Sequence, residues 1–137
     1  MKIGILGGSF DPAHKGHLAI SKEAKRRFKL EKIIWAVTKK NPLKAESKTP
    51  ISKKIKDCKK IIGMNSFIKV KFYENIIKSN KTIDLINYLK KDKKIEIFFL
   101  MGADNLINFH KWFRSKLISQ KCNIIVFDRH GYKKNSL

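Results

Sequence analysis

Several things are scarce in this chain, and each scarcity excludes something. Cysteine occurs twice, at Cys58 and Cys122, far apart and outside any C-x-x-C pair. That rules out a disulfide framework and a thiolate metal cluster, and two reduced, buried thiols are expected. Long apolar runs are missing. The longest, Ile33–Val37 and Ile97–Met101, fall far short of a bilayer span. Met1-Lys2 leads directly into a strand-like segment without a leader-type apolar stretch, so a cytoplasmic protein is expected. Only three prolines and no Pro/Gly/Ser-rich linker interrupt the chain. Its 137 residues suit one domain, residues 1–137, with no room for a second.

Negative charge is scarce as well. Eleven acidic residues face 32 basic ones, a formal charge of +21. Such a surface attracts polyanions. However, only four of the 32 basic residues are arginine, and the lysines are scattered rather than gathered into a stripe with interleaved aromatics. Lysine, isoleucine and asparagine also share A/T-rich codons, so coding bias is a competing source of the charge. Nucleic acid is therefore not expected as the main partner.

What is present is an alternation of strand-like and helix-like segments. Lys2–Leu6 reads as a strand ending in Gly7-Gly8, and Gly16 to about Phe28 as a helix. Lys32–Val37 is a second strand, followed by a polar loop from Thr38 to Thr49. Thr49-Pro50 predicts a helix start, with threonine as N-cap and proline in the first helical position, running to Gly63. Phe67–Tyr73, Ile95–Met101 and Asn123–Phe127 complete five strands. Thr82–Lys91 predicts a short helix, and Asn105 to about Gln120 one or two more. The strands are apolar without alternation, as in a parallel sheet covered on both faces. The expected fold class is α/β: a Rossmann-like three-layer sandwich with a mostly parallel five-stranded sheet. In such sheets ligands sit beyond the carboxyl ends of the strands, where the unusual residues of this chain fall.

Gly7-Gly8-Ser9-Phe10-Asp11-Pro12-Ala13-His14-Lys15-Gly16-His17 follows a strand and opens a helix. The glycines allow close approach of a ligand, the helix N-terminus favours an anion, and the two histidines stand within reach of one phosphate. A zinc pair would need a third ligand that is not evident nearby. The second segment, Met101-Gly102-Ala103-Asp104 through Phe109-His110-Lys111-Trp112, places a glycine, a carboxylate for a ribose and a flat aromatic face beside the fourth strand. Asn41-Pro42-Leu43-Lys44 and Lys81-Thr82-Ile83-Asp84 add a basic and a hydroxyl group. Each has a plainer reading, as a solvated lysine and a helix start.

Gly8–His17 matches G-x-F-x-P-x-H-x-G-H at every fixed position. The chain thus resembles the HxGH nucleotidylyltransferase superfamily, and its Gly102–Trp112 segment resembles the nicotinate-nucleotide adenylyltransferases within it. That resemblance implies adenylyl transfer from ATP to nicotinate mononucleotide, giving nicotinate adenine dinucleotide and pyrophosphate in NAD biosynthesis. It implies catalytic roles for His14 and His17, and ATP binding by Gly7, Gly8, Ser9, Phe10, Gly16, Gly102 and Asp104. It implies acceptor binding by Lys44, Thr82 and Trp112, and Mg2+ arriving with ATP but no metal site built by the protein. Phe127–Tyr132 resembles the family's Arg-Pro-Gly-Tyr turn, with His130 in place of proline.

Two departures stand out. Lys54 occupies a position where relatives commonly have arginine. Relatives also continue to a Ser-Ser/Thr-x-x-Arg segment that binds the ATP tail, so a C-terminally shortened domain that handles ATP poorly is expected. Two alternatives stay open: another HxGH adenylyltransferase, with nicotinamide mononucleotide or phosphopantetheine as acceptor, and a truncated, non-catalytic, basic nucleotide-binding remnant.

Overall fold

A computed structural model describes residues 1–39 and 49–127, the side chains of Asp104 and Asn105 excepted. Strands β1 (Lys2–Gly8), β2 (Lys32–Val37), β3 (Ile68–Lys71), β4 (Glu96–Gly102) and β5 (Asn123–Phe127) form one sheet in the order β3-β2-β1-β4-β5. All four pairings are parallel, which sharpens the expected mostly parallel sheet. Successive residues of a strand point to opposite faces, and here both faces are buried. Ile33, Trp35 and Val37 join one core with Leu6 and Leu100, while Ile34 and Ala36 join the other with Ile5 and Phe99. This double burial produced the unbroken apolar runs.

Helices α1 (Lys15–Phe28) and α2 (Ile51–Ile62) cover the first face through Ala24, Cys58 and Ile62. Helices α4 (Thr82–Leu89) and α6 (Ser115–Lys121) cover the second through Ile83, Ile86 and Ile118. Two short helices, α3 (Glu74–Ile77) and α5 (Ala103–Leu106), follow the ends of β3 and β4. A single 3-10 turn, Phe109–Lys111, precedes α6. The segment after β4 thus holds three short pieces where one or two were expected, and α3 was not anticipated.

The chain fills one side of β1 and then crosses to the other, so the sheet has its topological switch beside β1. A crevice opens there, past the carboxyl ends of β1 and β4. Gly4, in the middle of β1, shows how closely the first layer sits on the sheet. A Cβ there would lie 2.9 Å from Leu30 Cδ1.

The start of α2 differs from expectation. Pro50, not Thr49, is the N-cap, and it makes no side-chain cap. The Thr49 hydroxyl donates instead to Asp11 Oδ1 at 2.9 Å, drawing the helix start toward the turn after β1. The helix does stop at Gly63, which has φ of 57°. Cys58 is buried as expected, but Cys122 is only half-buried. Burial raises both thiols to about 11, so both stay protonated.

Candidate active site

The turn between β1 and α1 is closed by its own histidines. His14 is the N-cap residue of α1, in extended conformation, and its Nδ1 accepts from the Gly16 N–H at 3.1 Å. His17 reaches back, its Nδ1 accepting from the His14 N–H at 3.1 Å. This is the reciprocal capping arrangement usually made by Ser or Thr with Glu, with imidazoles in both roles. An Nδ1 that accepts carries no proton, so each neutral ring holds its hydrogen on Nε2. The rings lie 3.9 Å apart, tilted by 31°.

His17 is set from behind. Phe10, with φ of 48° and a buried ring, stacks on Trp35 at 5.2 Å and meets His17 at a 42° tilt, 4.6 Å away. The Trp35 indole donates to Ser21 Oγ at 2.8 Å, and that hydroxyl donates to the His17 carbonyl at 2.9 Å. Burial, and then the charge of His14, pushes His17 down to about 4, against a partial upward pull from its backbone bond to His14. His17 is therefore a neutral N–H donor at physiological pH. His14 is exposed. The Phe10 side chain is buried and packs beside His17 and Trp35. Ser9 and Gly16 are half-buried in the turn, and Gly7 is exposed at the end of β1.

Beside this turn lies a cleft of roughly 640 Å³, its open mouth included, floored by Gly7 and Gly8. Thr38, Glu74, Thr82, Leu85, Phe99 and Trp112 are among the residues that line it. Trp112 is half-buried and stands edge-on to Phe99 at 5.9 Å and to Phe109 at 5.3 Å. Thr82 is the first residue of α4, whose N-cap is Lys81, so a simple N-cap role for Thr82 does not hold. Ser79 orders the approach to it, donating to Asp84 Oδ2 at 2.6 Å and accepting from the Lys81 N–H at 3.0 Å.

The structure thus brings Gly7, Gly8, Thr82 and Trp112 to one cleft, adjoining the turn of His14 and His17. Gly102 closes β4, and the backbone of Asp104 lies in the first turn of α5 beyond it. Lys44 and the Phe127–Tyr132 turn past Phe127 lie outside the described residues. Lys54 is fully buried, with Nζ donating to the Thr38 carbonyl at 3.1 Å. Sequence reasoning missed Thr38, Tyr73 and Glu74. Thr38 carried a usable signal, since it directly follows the carboxyl end of β2.

A parallel sheet with a capped phosphate-type turn at its switch point defines an α/β nucleotide-handling protein, and the cytidylyltransferase-like family matches residues 5–136. The chain is 69% identical to a probable nicotinate-nucleotide adenylyltransferase of Pelagibacter ubique (strain HTCC1062), over 99% of this chain and 76% of that one. It is 37% identical to another so named from Methylorubrum extorquens (strain PA1), over 96% of this chain and 72% of that one. Plasmodium falciparum nicotinic acid mononucleotide adenylyltransferase, solved in complex with NaAD, shares the fold with a TM-score of 0.82. That alignment has 20% identity and covers 98% of this chain and 67% of the other. The chain belongs to the nicotinate-nucleotide adenylyltransferases, a nucleotidyltransferase branch of the cytidylyltransferase-like family.

Proposed function

We propose that this chain transfers the adenylyl group of ATP to nicotinate mononucleotide, forming nicotinate adenine dinucleotide and releasing pyrophosphate. One observation carries the reading: Gly7 and Gly8, which line the cleft that holds Thr82 and Trp112, lead directly into the turn capped by the imidazoles of His14 and His17. An oxygen of the acceptor 5′-phosphate attacks the α-phosphorus in line. A new P–O bond forms, the bond to the β-phosphate oxygen breaks, and its electron pair leaves on pyrophosphate. The nucleophile is already an anion, so no general base is required. The protein contributes positioning and charge stabilisation.

In this reading Gly7, Gly8, Ser9 and Gly16 form the backbone cradle for the α-phosphate, at the positive end of α1. His14 and His17 donate through Nε2 to its oxygens. A neutral, preorganised donor suits a phosphate whose charge changes little but shifts between oxygens. Gly102 and Asp104 hold the adenosine. Thr82 meets the nicotinate carboxylate, the accessible part of Trp112 meets the pyridinium ring, and Lys44 meets the acceptor phosphate.

Mg2+ enters as MgATP, held by the phosphates rather than by a protein cage. The two histidines offer nitrogen donors to anions, not a hard oxygen shell. Among the described residues no group of three or more His, Cys, Asp or Glu could hold a metal. The work belongs in the cytoplasm, where ATP is available, and no helix among the described residues is long and apolar enough to cross a membrane.

The deciding experiment compares kcat/KM for nicotinate and nicotinamide mononucleotides with MgATP, following pyrophosphate release. A clear preference for the acid is expected. Equal values, or a preference for the amide, would reject the assignment of Thr82 to a carboxylate.

A further inference from the structure

Thr38, the first residue past β2, is gripped from three directions. Its N–H donates to the Gly8 carbonyl at 3.0 Å, tying it to the end of β1. Its carbonyl accepts from Lys54 Nζ of α2 at 3.1 Å. Its hydroxyl donates to one carboxylate oxygen of Glu74, the first residue of α3, whose other oxygen accepts from the Lys39 N–H at 3.3 Å. Two consecutive residues at the head of the loop after β2 are thus fixed by helices on separate sides of it.

The charges make this arrangement unusual. Lys54 is wholly inside the protein and takes no part in the ion pairs found among the described residues. A buried ammonium facing one carbonyl is poorly compensated, and surroundings that tolerate it must supply negative charge nearby. Glu74 brings a carboxylate to the hydroxyl of the same residue, so the two side chains are linked through the carbonyl and hydroxyl of Thr38. Core packing alone would be served by an apolar residue at position 54, since replacing a buried ion by an apolar side chain of similar volume is often neutral or stabilising. Thr38 and Glu74 both line the cleft that also holds Thr82 and Trp112.

We propose that Lys54 and Glu74 are positioning residues for the acceptor: acting through Thr38 and Lys39, they hold the cleft wall beside Gly8 at the spacing the acceptor mononucleotide requires. The inference rests on the adenylyl-transfer reading above and adds to it two residues that do not touch substrate.

The test is a steady-state comparison of Lys54→Met, Glu74→Gln and the double variant with wild type, varying ATP and nicotinate mononucleotide separately. Each single variant should raise the KM for the acceptor about tenfold, the scale of losing a charge-assisted hydrogen bond, while the KM for ATP stays within about twofold. The double variant should be no worse than the weaker single, because both changes release the same residue. Lys54→Arg should restore much of the acceptor affinity. Urea unfolding separates positioning from folding, since Lys54→Met should be at least as stable as wild type.

An unchanged acceptor KM overturns the proposal. So do equal losses for both substrates in step with lost stability, or fully additive effects in the double variant. Failure of wild type to use nicotinate mononucleotide would bring down the adenylyl-transfer reading and this inference together. Wild-type turnover with unaffected variants would bring down this inference alone.

Discussion

The two sides of the cleft are built by opposite strategies. The phosphate side is ten consecutive residues, Gly8–His17, closed on themselves by bonds between His14, Gly16 and His17. The facing wall is collected from the end of β2, from α3, from α4, from β4 and from the turn that presents Trp112. A phosphate asks the same thing of any protein: a few N–H donors converging on a small anion. One short turn supplies them. A pyridine nucleotide asks for a flat face, a carboxylate partner and a spacing between them, and separate elements must be brought together to provide it. The first side is therefore compact and self-supporting, while the second depends on every element that packs behind it.

The comparison can be broken first at His17. Replacing it with alanine removes an Nε2 donor and one half of the cap. Turnover should fall about a hundredfold or more, the scale of losing one preorganised donor, with a much smaller change in the KM for ATP. Near-normal turnover in a kinetic assay would end the assigned role.

Next in size is Trp112→Ala, on the distributed side. The KM for the acceptor should rise roughly ten- to thirtyfold, with the cation–π and stacking contributions both lost, and ATP saturation should barely move. Equal losses for both substrates would show that Trp112 only supports Phe99 and Phe109.

Gly4→Ala acts on neither side directly. Its Cβ would press on Leu30, so stability in urea should drop by about 1–3 kcal/mol, as for other overpacked cores. The ratio of the two KM values should stay at the wild-type value. A shift in that ratio would show that strain in β1 reaches the cleft.

The smallest effect concerns the proton on His17. Its folded value, about 4, lies below the ordinary 6.5, so between these limits the unfolded chain binds more protons than the folded one. The stability due to neutral His17 is thus intact above pH 6.5 and is lost as pH falls through that window toward 4. An NMR titration of the substrate-free protein should place the His17 midpoint near 4. Replacing His17 with glutamine should flatten the decline of stability between pH 6.5 and 4. A midpoint near 6.5 would mean that the ring is solvated, and that the donor could be charged during catalysis.

How far each side could be read from sequence follows from its construction. β2 and β5 begin and end where their apolar runs do, because residues buried on both faces leave no alternation to misread. The turn was legible because its bonding partners lie two and three residues apart, within one recognisable string. The N-cap of α2 was misplaced because the Thr49 hydroxyl had a better partner in Asp11, 38 residues away. Glu74 passed unnoticed, and the burial of Lys54 went unread, for a similar reason. In a chain with 32 basic residues a single lysine does not announce that it is interior, and a four-residue helix has no periodicity to mark it.

The sequence by itself determined the order of strands and helices and the anion-binding turn, since apolar patterning and local capping act over a few residues. Only the tertiary structure decided that His17 is a neutral donor, that Lys54 is interior and that Thr38 and Glu74 share a cleft with Trp112. Burial and convergence across a sheet depend on elements far apart in the chain, and no local pattern encodes them.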